Sequence, residues 1–194
     1  RLAAQNLIRS RRGPTGGTFV TRPTREEARA SVATAAALLV SMGEFQLDDI
    51  LEGRALFEAA TCQLAVQRRT DADLDALRAE VMRMREADLS DADFCAADVR
   101  YHRALVASAH NPALDYAAAS LIDSLQPVIN LLAYRARERR GVSDGLDRLA
   151  EAIEARDDAQ ALQELSAYFA MLGRHCRQAL DSARPARAQE VRHG

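Results

Sequence analysis

The chain has 194 residues, of which 48% are hydrophobic and 28% charged, with a formal net charge of -2, so it is long and apolar enough for one substantial core and unlike a disordered or fibrous chain. Only 5% of the residues are aromatic and Trp is absent, which favours helices over sheets. Three scattered cysteines predict neither a disulfide framework nor a thiolate zinc cluster, and no apolar run is long enough for a membrane span, so we expect a cytoplasmic protein.

The N-terminal region 1–23 differs from the rest of the chain. The first 25 residues contain six arginines and no acidic residue. Within 7-LIRSRRGPTGGTFVTRP-23, two short apolar segments flank a Gly-rich loop, which predicts a β-hairpin. A hairpin alone is marginal in water, so we expect it to belong to a larger unit. Its positive charge favours an anionic partner, with nucleic acid as the first candidate.

Residues 24–182 are predicted to be helical throughout. Helix starts are indicated by a capping residue with an acid three positions later, or by Asn before Pro. These pairs are Thr24 with Glu27, Thr70 with Asp73, Ser90 with Asp93, and Asn111 with Pro112. The later helices are expected at about 112–139, 143–155 and 158–182. Short connections favour antiparallel neighbours, so the sequence predicts an all-α, antiparallel bundle of about seven helices, followed by a disordered tail over 183–194.

Two polar residues lie on the apolar face of the fourth predicted helix. At about 100° per residue, Asp98 and His102 share an arc with Phe94, Tyr101 and Leu105. Burial of a carboxylate and an imidazole is costly without partners. A metal, a polar ligand or a cation could supply the partner, and a purely structural hydrogen-bond network is the alternative. General acid–base catalysis is less favoured, because no nucleophile, second carboxylate or phosphate-binding loop accompanies the pair.

The order of these segments resembles GntR-family regulators of the FadR subfamily. The stretch LIRSRRGPTGGTFV is similar to the wing of a winged helix-turn-helix domain. Three later segments are similar to the FCD-type helical effector domain: 54-RALFEAATCQLA-65, 94-FCAADVRYHRALVASAHNPAL-114 and 152-AIEARDDAQALQEL-165. The resemblance implies a homodimeric transcription factor, usually a repressor. Such a factor binds operator DNA through its N-terminal domain and senses a small molecule, often a carboxylate, in its helical domain.

The resemblance also bears on a metal site. The metal-binding version of the family that the chain resembles uses one Asp and three His. Asp98 and His102 match two of these four residues. Leu146 and Tyr168 stand where the other two histidines would fall. We therefore expect no cofactor, and a divalent metal such as zinc at Asp98 and His102 only if further groups complete the site.

A metal-free ligand pocket is the preferred expectation. In that pocket Asp98 and His102 orient the ligand, and Arg54 is a natural fork for a ligand carboxylate. Leu146 and Tyr168 then trim the cavity, and the Tyr168 hydroxyl replaces an imidazole. The alternative for Arg54 is an ion pair with Glu58, one helical turn later.

The wing resemblance also implies DNA contacts, to phosphates and to the minor groove. The residues concerned are Arg9, Arg11, Arg12, Gly16, Gly17 and Thr18. Solvated arginines on an exposed hairpin are the alternative. The chain lacks an initiating Met and begins after the first helices of a winged domain. We therefore expect specific operator binding only from the intact protein.

Together, these patterns predict a ligand-responsive DNA-binding regulator and not an enzyme. Residues 1–23 would be the end of the DNA-binding domain, and 24–182 the ligand-binding and dimerisation domain. Two other classes stay open. A helical metalloenzyme would use Asp98 and His102 as partial ligands and Tyr168 as acid or base. A structural dimerisation module would have a filled core and no pocket.

Overall fold

The computed structural model describes residues 8–11, 13, 17–20, 24–44, 46–133 and 139–190, and the side chains discussed below fall within 24–44, 46–123 and 139–178. Strands β1 (Ile8–Arg11) and β2 (Gly17–Val20) pair antiparallel, with Ile8 opposite Val20. The helices are α1 (Arg25–Ser41), α2 (Leu47–Arg68), α3 (Asp71–Met84), α4 (Asp91–Ala107), α5 (Pro112–Ala133), α6 (Arg139–Glu154) and α7 (Asp158–Glu190). The described residues thus confirm a helical domain after a β-hairpin.

Three helices begin at the capping residues that the sequence indicated. In each, the hydroxyl accepts a hydrogen bond from the backbone N–H three residues on: Glu27 to Thr24 at 3.1 Å, Asp73 to Thr70 at 3.3 Å, and Asp93 to Ser90 at 3.1 Å. These bonds satisfy amide donors that the first turn of a helix leaves without partners. Local sequence therefore determines where α1, α3 and α4 start.

The limits of two helices differ from those expected. Helix α6 begins at Arg139, not near 143, because the Arg139 guanidinium holds this end to the body of the domain. It donates to the Leu89 carbonyl at 2.7 Å, pairs with Asp91 and lies over the Phe94 ring. Helix α7 continues past 182 to Glu190, where we expected a disordered tail. Residues 183–190 are rich in Ala, Arg, Gln and Glu, and this high helix propensity outweighs the one proline.

Arginines join the C-terminal ends of α2 and α6. The Arg156 guanidinium donates to the carbonyls of Val66 and Gln67 at 2.8 and 2.7 Å, and Arg156 itself has a positive φ of 56°. In return, Arg69 donates to the carbonyl of Glu154 at 2.7 Å. An arginine at the C-terminal end of each helix therefore donates to the unpaired carbonyls at the C-terminal end of the other helix, where a positive charge is stabilising.

The core of the domain is formed where α2 packs against α4, α5 and α7. Helix α6 packs against both α3 and α7, and α1 packs along α5. The largest apolar side chains buried below 2% exposure are Phe94, Tyr101, Leu77, Leu105, Ile122, Leu146, Leu149 and Ile153. No helix in the described part of the chain is both long and apolar enough to cross a membrane.

The turn between α4 and α5 is tied to the start of α3. His110 has a positive φ of 47°, and its Nε2 lies 2.8 Å from Asp73 Oδ2. The same Asp73 oxygen accepts from the Thr70 amide and hydroxyl, both at 2.7 Å. Burial alone would raise the pKa of Asp73. The hydrogen bonds from Thr70 and His110 lower the pKa by more than burial raises it, so the net pKa is below its usual value.

We expect Asp73→Asn to lower the free energy of unfolding at pH 7 by about 1 kcal/mol, the usual cost of a lost cap interaction. Because the folded-state pKa is depressed, ionised Asp73 stabilises the fold above the unfolded pKa near 4, and this contribution disappears as pH falls through the lower folded-state value. Urea unfolding of both proteins between pH 7 and 3, followed by circular dichroism, tests this. The control is Asp71→Asn, whose side chain is 98% exposed. A cost for Asp73→Asn that does not change with pH would show the account to be wrong.

Candidate functional site

Five polar side chains from three helices meet inside the bundle. They are Arg54 and Glu58 of α2, Asp98 and His102 of α4, and Tyr168 of α7. None is more than 3% exposed. The structure thus brings together four of the residues indicated by the sequence and adds Glu58, which we had considered only as an ion-pair partner of Arg54. We call these five residues the buried polar cluster.

Glu58 lies between the two basic groups of the cluster. Its Oε1 accepts from Arg54 Nε at 2.6 Å, and its Oε2 lies 2.5 Å from His102 Nδ1. Burial on its own would raise the pKa of the Glu58 carboxyl, but the charge of Arg54 and the contact with His102 hold the pKa below its usual value. Glu58 is therefore a carboxylate that accepts from both neighbours.

Asp98 is bound from the side of α7. The Tyr168 hydroxyl donates to the two carboxylate oxygens of Asp98 at 3.1 and 3.0 Å. His102 Nε2 lies 3.9 Å from Asp98 Oδ1, too far for a hydrogen bond, and the rings of His102 and Tyr168 have centroids 4.4 Å apart. The Tyr168 hydroxyl thus holds the Asp98 carboxylate, and its role in place of an imidazole stays a prediction.

Three nitrogen atoms of the cluster are buried without a hydrogen-bond partner among the described residues. They are Nη1 and Nη2 of Arg54 and Nε2 of His102. The Arg54 guanidinium also lies over the Phe169 ring, at 5.4 Å from the centroid. Burial lowers the pKa of Arg54, but Glu58 and Asp98 raise it more, so the guanidinium stays charged. Buried polar atoms without partners cost roughly 1–3 kcal/mol each, so their presence indicates a place where a ligand would gain affinity.

Leu146 is connected to the cluster through Tyr101. The Tyr101 hydroxyl donates to the Leu146 carbonyl at 2.7 Å, and its ring lies edge-on to His102 with centroids 5.7 Å apart. The Leu146 side chain is fully buried in the apolar core. Burial raises the pKa of Tyr101 well above its usual value, so its hydroxyl keeps its proton and remains a donor.

The cluster does not fit a tetrahedral zinc site. Within the described residues, no group of three or more His, Cys, Asp and Glu side chains could hold a metal ion. Asp98 and His102 supply two donor atoms, whereas zinc takes three or four protein ligands. At the two remaining positions of the metal-binding pattern, Leu146 offers no donor side chain and the Tyr168 hydroxyl already donates to Asp98.

The side chains of the cluster are buried from solvent. Two clefts lined by described residues, of about 820 and 360 Å³, lie elsewhere, the first beside Glu80 and Arg100 and the second beside Met84 and Arg140. Neither includes a residue of the buried polar cluster. A ligand must therefore reach the cluster by local opening of the helices around it.

Four of the six residues expected to contact DNA lie on the two strands. Arg9 and Arg11 lie on β1, and Gly17 and Thr18 on β2, with Arg11 opposite Gly17. Arg12 and Gly16 lie outside the described residues. The predicted DNA contacts therefore stay a prediction.

Two residues were not assigned to the site from the sequence. Glu58 was named only as a possible ion-pair partner of Arg54, although the spacing of one turn could have indicated that both lie on the buried face of α2. Phe169 follows Tyr168 directly, and no spacing pattern marks it as the ring beneath Arg54.

Comparison with known proteins identifies the domain. Residues 49–171 match the FCD domain family. The fold is similar to E. coli McbR/YncC, with a TM-score of 0.60 and 18% identity over 91% of this chain and 80% of that one. It is also similar to a GntR-family transcriptional regulator from Pseudomonas syringae pv. tomato, with a TM-score of 0.61 and 16% identity over 96% and 69% of the two chains. Streptococcus agalactiae GntR has a TM-score of 0.61 and 19% identity over 89% and 77%.

The chain belongs to the FCD domain family, because that family accounts for most of its length. This confirms the resemblance inferred from the sequence and makes the chain a transcriptional regulator with an effector-binding domain, not an enzyme. No curated protein matches the chain significantly in sequence.

We expect Arg54→Met to lower the free energy of unfolding by about 3–5 kcal/mol, because it leaves the buried Glu58 carboxylate without its cation. The double variant Arg54→Met/Glu58→Met should cost less than Arg54→Met alone. Urea unfolding at pH 7 gives both values. The control, Arg78→Met, breaks an exposed pair with Glu154 and should cost far less. A double variant that costs as much as Arg54→Met, or more, would contradict the coupling.

Proposed function

We propose that this chain is the effector-sensing part of a cytoplasmic, homodimeric repressor, and that the buried polar cluster binds a small organic acid or a similar metabolite without a metal ion. The observation that carries the proposal is the set of unpaired buried nitrogen atoms, Arg54 Nη1 and Nη2 and His102 Nε2. Because Nη1 and Nη2 of the Arg54 guanidinium both carry unused N–H donors, they can bind a carboxylate through two hydrogen bonds.

Each residue of the site has a separate role in this proposal. Arg54 binds the ligand carboxylate, and His102 and Asp98 contact the polar group next to it. Tyr168 keeps Asp98 in place through its hydroxyl, and Leu146 limits the size of the ligand from the apolar side. Membership of the FCD domain family supports the assignment of an effector site to this domain.

The regulatory step follows from linkage between two binding sites. In the intact protein, the hairpin residues Arg9, Arg11, Arg12, Gly16, Gly17 and Thr18 contact operator DNA. Ligand entry requires the closed cluster to open, so binding changes the packing of α2 against α4 and α7 and with it the placement of the DNA-binding domains. An effector that favours the DNA-free arrangement weakens DNA binding by the same factor by which DNA weakens effector binding.

A thermal-shift screen of small organic acids and amino acids tests the proposal. We expect at least one compound to raise the Tm increasingly with its concentration, and to add about 2.7 kcal/mol of stability at a hundredfold excess over its Kd. His102→Ala should retain the helical circular dichroism spectrum but lose the ligand response.

The matched control is Arg78→Met against Arg54→Met, since both remove one ion-paired arginine. The control should keep the ligand response, and Arg54→Met should lose it. A screen without any stabilising compound would favour a structural dimerisation module instead. Consumption of a compound with release of a product would favour an enzyme.

A further inference from the structure

Glu58 divides the polar atoms of the cluster into donors and acceptors. It uses Arg54 Nε and His102 Nδ1, and so leaves Arg54 Nη1 and Nη2 on one side and His102 Nε2 on the other. Asp98, 3.9 Å from His102 Nε2, is a second acceptor on that side. Glu58 therefore decides which donor and acceptor atoms of Arg54 and His102 are left for a ligand, although both of its own oxygens are already hydrogen-bonded.

The tautomer of a neutral His102 follows from the same contact. An ionised carboxylate has no proton to donate, so the hydrogen atom between Glu58 and His102 belongs to Nδ1. With its proton on Nδ1, a neutral imidazole presents a lone pair at Nε2. In this neutral form, His102 Nε2 accepts a hydrogen bond from a ligand donor that approaches it.

The charge of the cluster points to the same kind of ligand. Two carboxylates, Glu58 and Asp98, already lie in this buried site. A simple carboxylate ligand would bring a third carboxylate to it, which is costly at low dielectric. A ligand that also carries an ammonium group adds no net charge.

Building on the proposed effector site, we propose that Glu58 is a positioning residue that keeps His102 Nε2 as an acceptor, and that the site therefore selects a 2-aminocarboxylate over the corresponding 2-hydroxy and 2-oxo acids. The ligand carboxylate binds Arg54 Nη1 and Nη2. The ammonium group donates to His102 Nε2 and to Asp98. A 2-hydroxy acid supplies one donor and no positive charge, and a 2-oxo acid supplies no donor.

The first test is the tautomer of His102 in the ligand-free protein. Two-bond proton–nitrogen NMR correlations distinguish a protonated ring nitrogen from one with a lone pair, and the chain has only four histidines to assign. We expect the proton on Nδ1 in the wild type. In Glu58→Gln, the new amide accepts from Arg54 Nε and donates to His102 Nδ1, so the proton should move to Nε2.

The second test compares three acids with the same carbon skeleton, 2-aminopropanoate, 2-hydroxypropanoate and 2-oxopropanoate, by calorimetric titration. The wild type should bind the amino acid at least about tenfold more tightly than the oxo acid, because an added charge-assisted hydrogen bond is of that order. In Glu58→Gln, the affinity for 2-aminopropanoate divided by the affinity for 2-oxopropanoate should fall to one or below. The ratio is measured within each protein, so a general loss of affinity cancels.

Glu80→Gln is the matched control, since Glu80 is also mostly buried and ion-paired, with Arg100, on a helix that contributes nothing to the cluster. It should leave the affinity ratio unchanged. If Glu58→Gln does not fold, the wild-type tautomer and the wild-type ranking still decide the matter. A proton on His102 Nε2 in the wild type, a preference for the oxo acid, or no binding of 2-aminopropanoate would each overturn this inference.

These results are separable from failure of the proposed function. If the screen of organic acids finds a stabilising ligand that lacks an ammonium group, the effector site stands and the selectivity assigned to Glu58 is wrong. If the screen finds no ligand at all while the His102 tautomer is as expected, the effector site fails and the structural role of Glu58 remains.

Discussion

A carboxylate inside a helical bundle is tolerated only where cations and hydrogen-bond donors replace its lost hydration. Glu58 meets this condition through Arg54 at 2.6 Å and His102 at 2.5 Å. The three residues therefore depend on one another, since removal of one leaves the other two buried with unmatched charge or hydrogen-bonding capacity. Asp98 and Tyr168 form a second hydrogen-bonded pair beside these three residues, between α4 and α7, so the polar centre involves three helices of the domain.

The rest of the fold keeps these helices in place by interactions far from the centre. Arg156 and Arg69 join the ends of α2 and α6, and the Asp73 carboxylate joins the start of α3 to the turn before α5. Because these contacts lie at the ends of helices, the proposed opening of the central cluster would not require them to break. This division between a fixed periphery and an adjustable polar centre suits a domain that must respond to a ligand.

The fold was predictable because its signals are local. Caps such as Thr70 and Ser90 mark helix starts, and the position of Asp98 and His102 on the apolar face of α4 indicated a buried polar site. Local signals were insufficient where contacts between residues far apart in sequence determine the start of a helix. Arg139 starts α6 through contacts with Leu89 and Asp91, which are 50 and 48 residues away in sequence.

The same limit applies to the site itself. The sequence offered two interpretations of Arg54, as a ligand-binding fork or as the partner of Glu58. In the structure Glu58 occupies only the Nε of Arg54, so the ion pair leaves both terminal nitrogens available. The bridging role of Glu58 depends on a contact between α2 and α4, across forty-four residues, and no spacing within either helix encodes that contact.

The central claim is that the buried polar cluster is the effector site, and the NMR spectrum of its histidine tests this most directly. A compound that raises the Tm should be titrated into the protein while the imidazole resonances of His102 and of the exposed His110 are followed. The account predicts a saturable shift of the His102 resonance with the same Kd as the thermal response, and no change at His110. Saturable binding that leaves the His102 resonance where it was would contradict it, because the ligand would then occupy another part of the molecule.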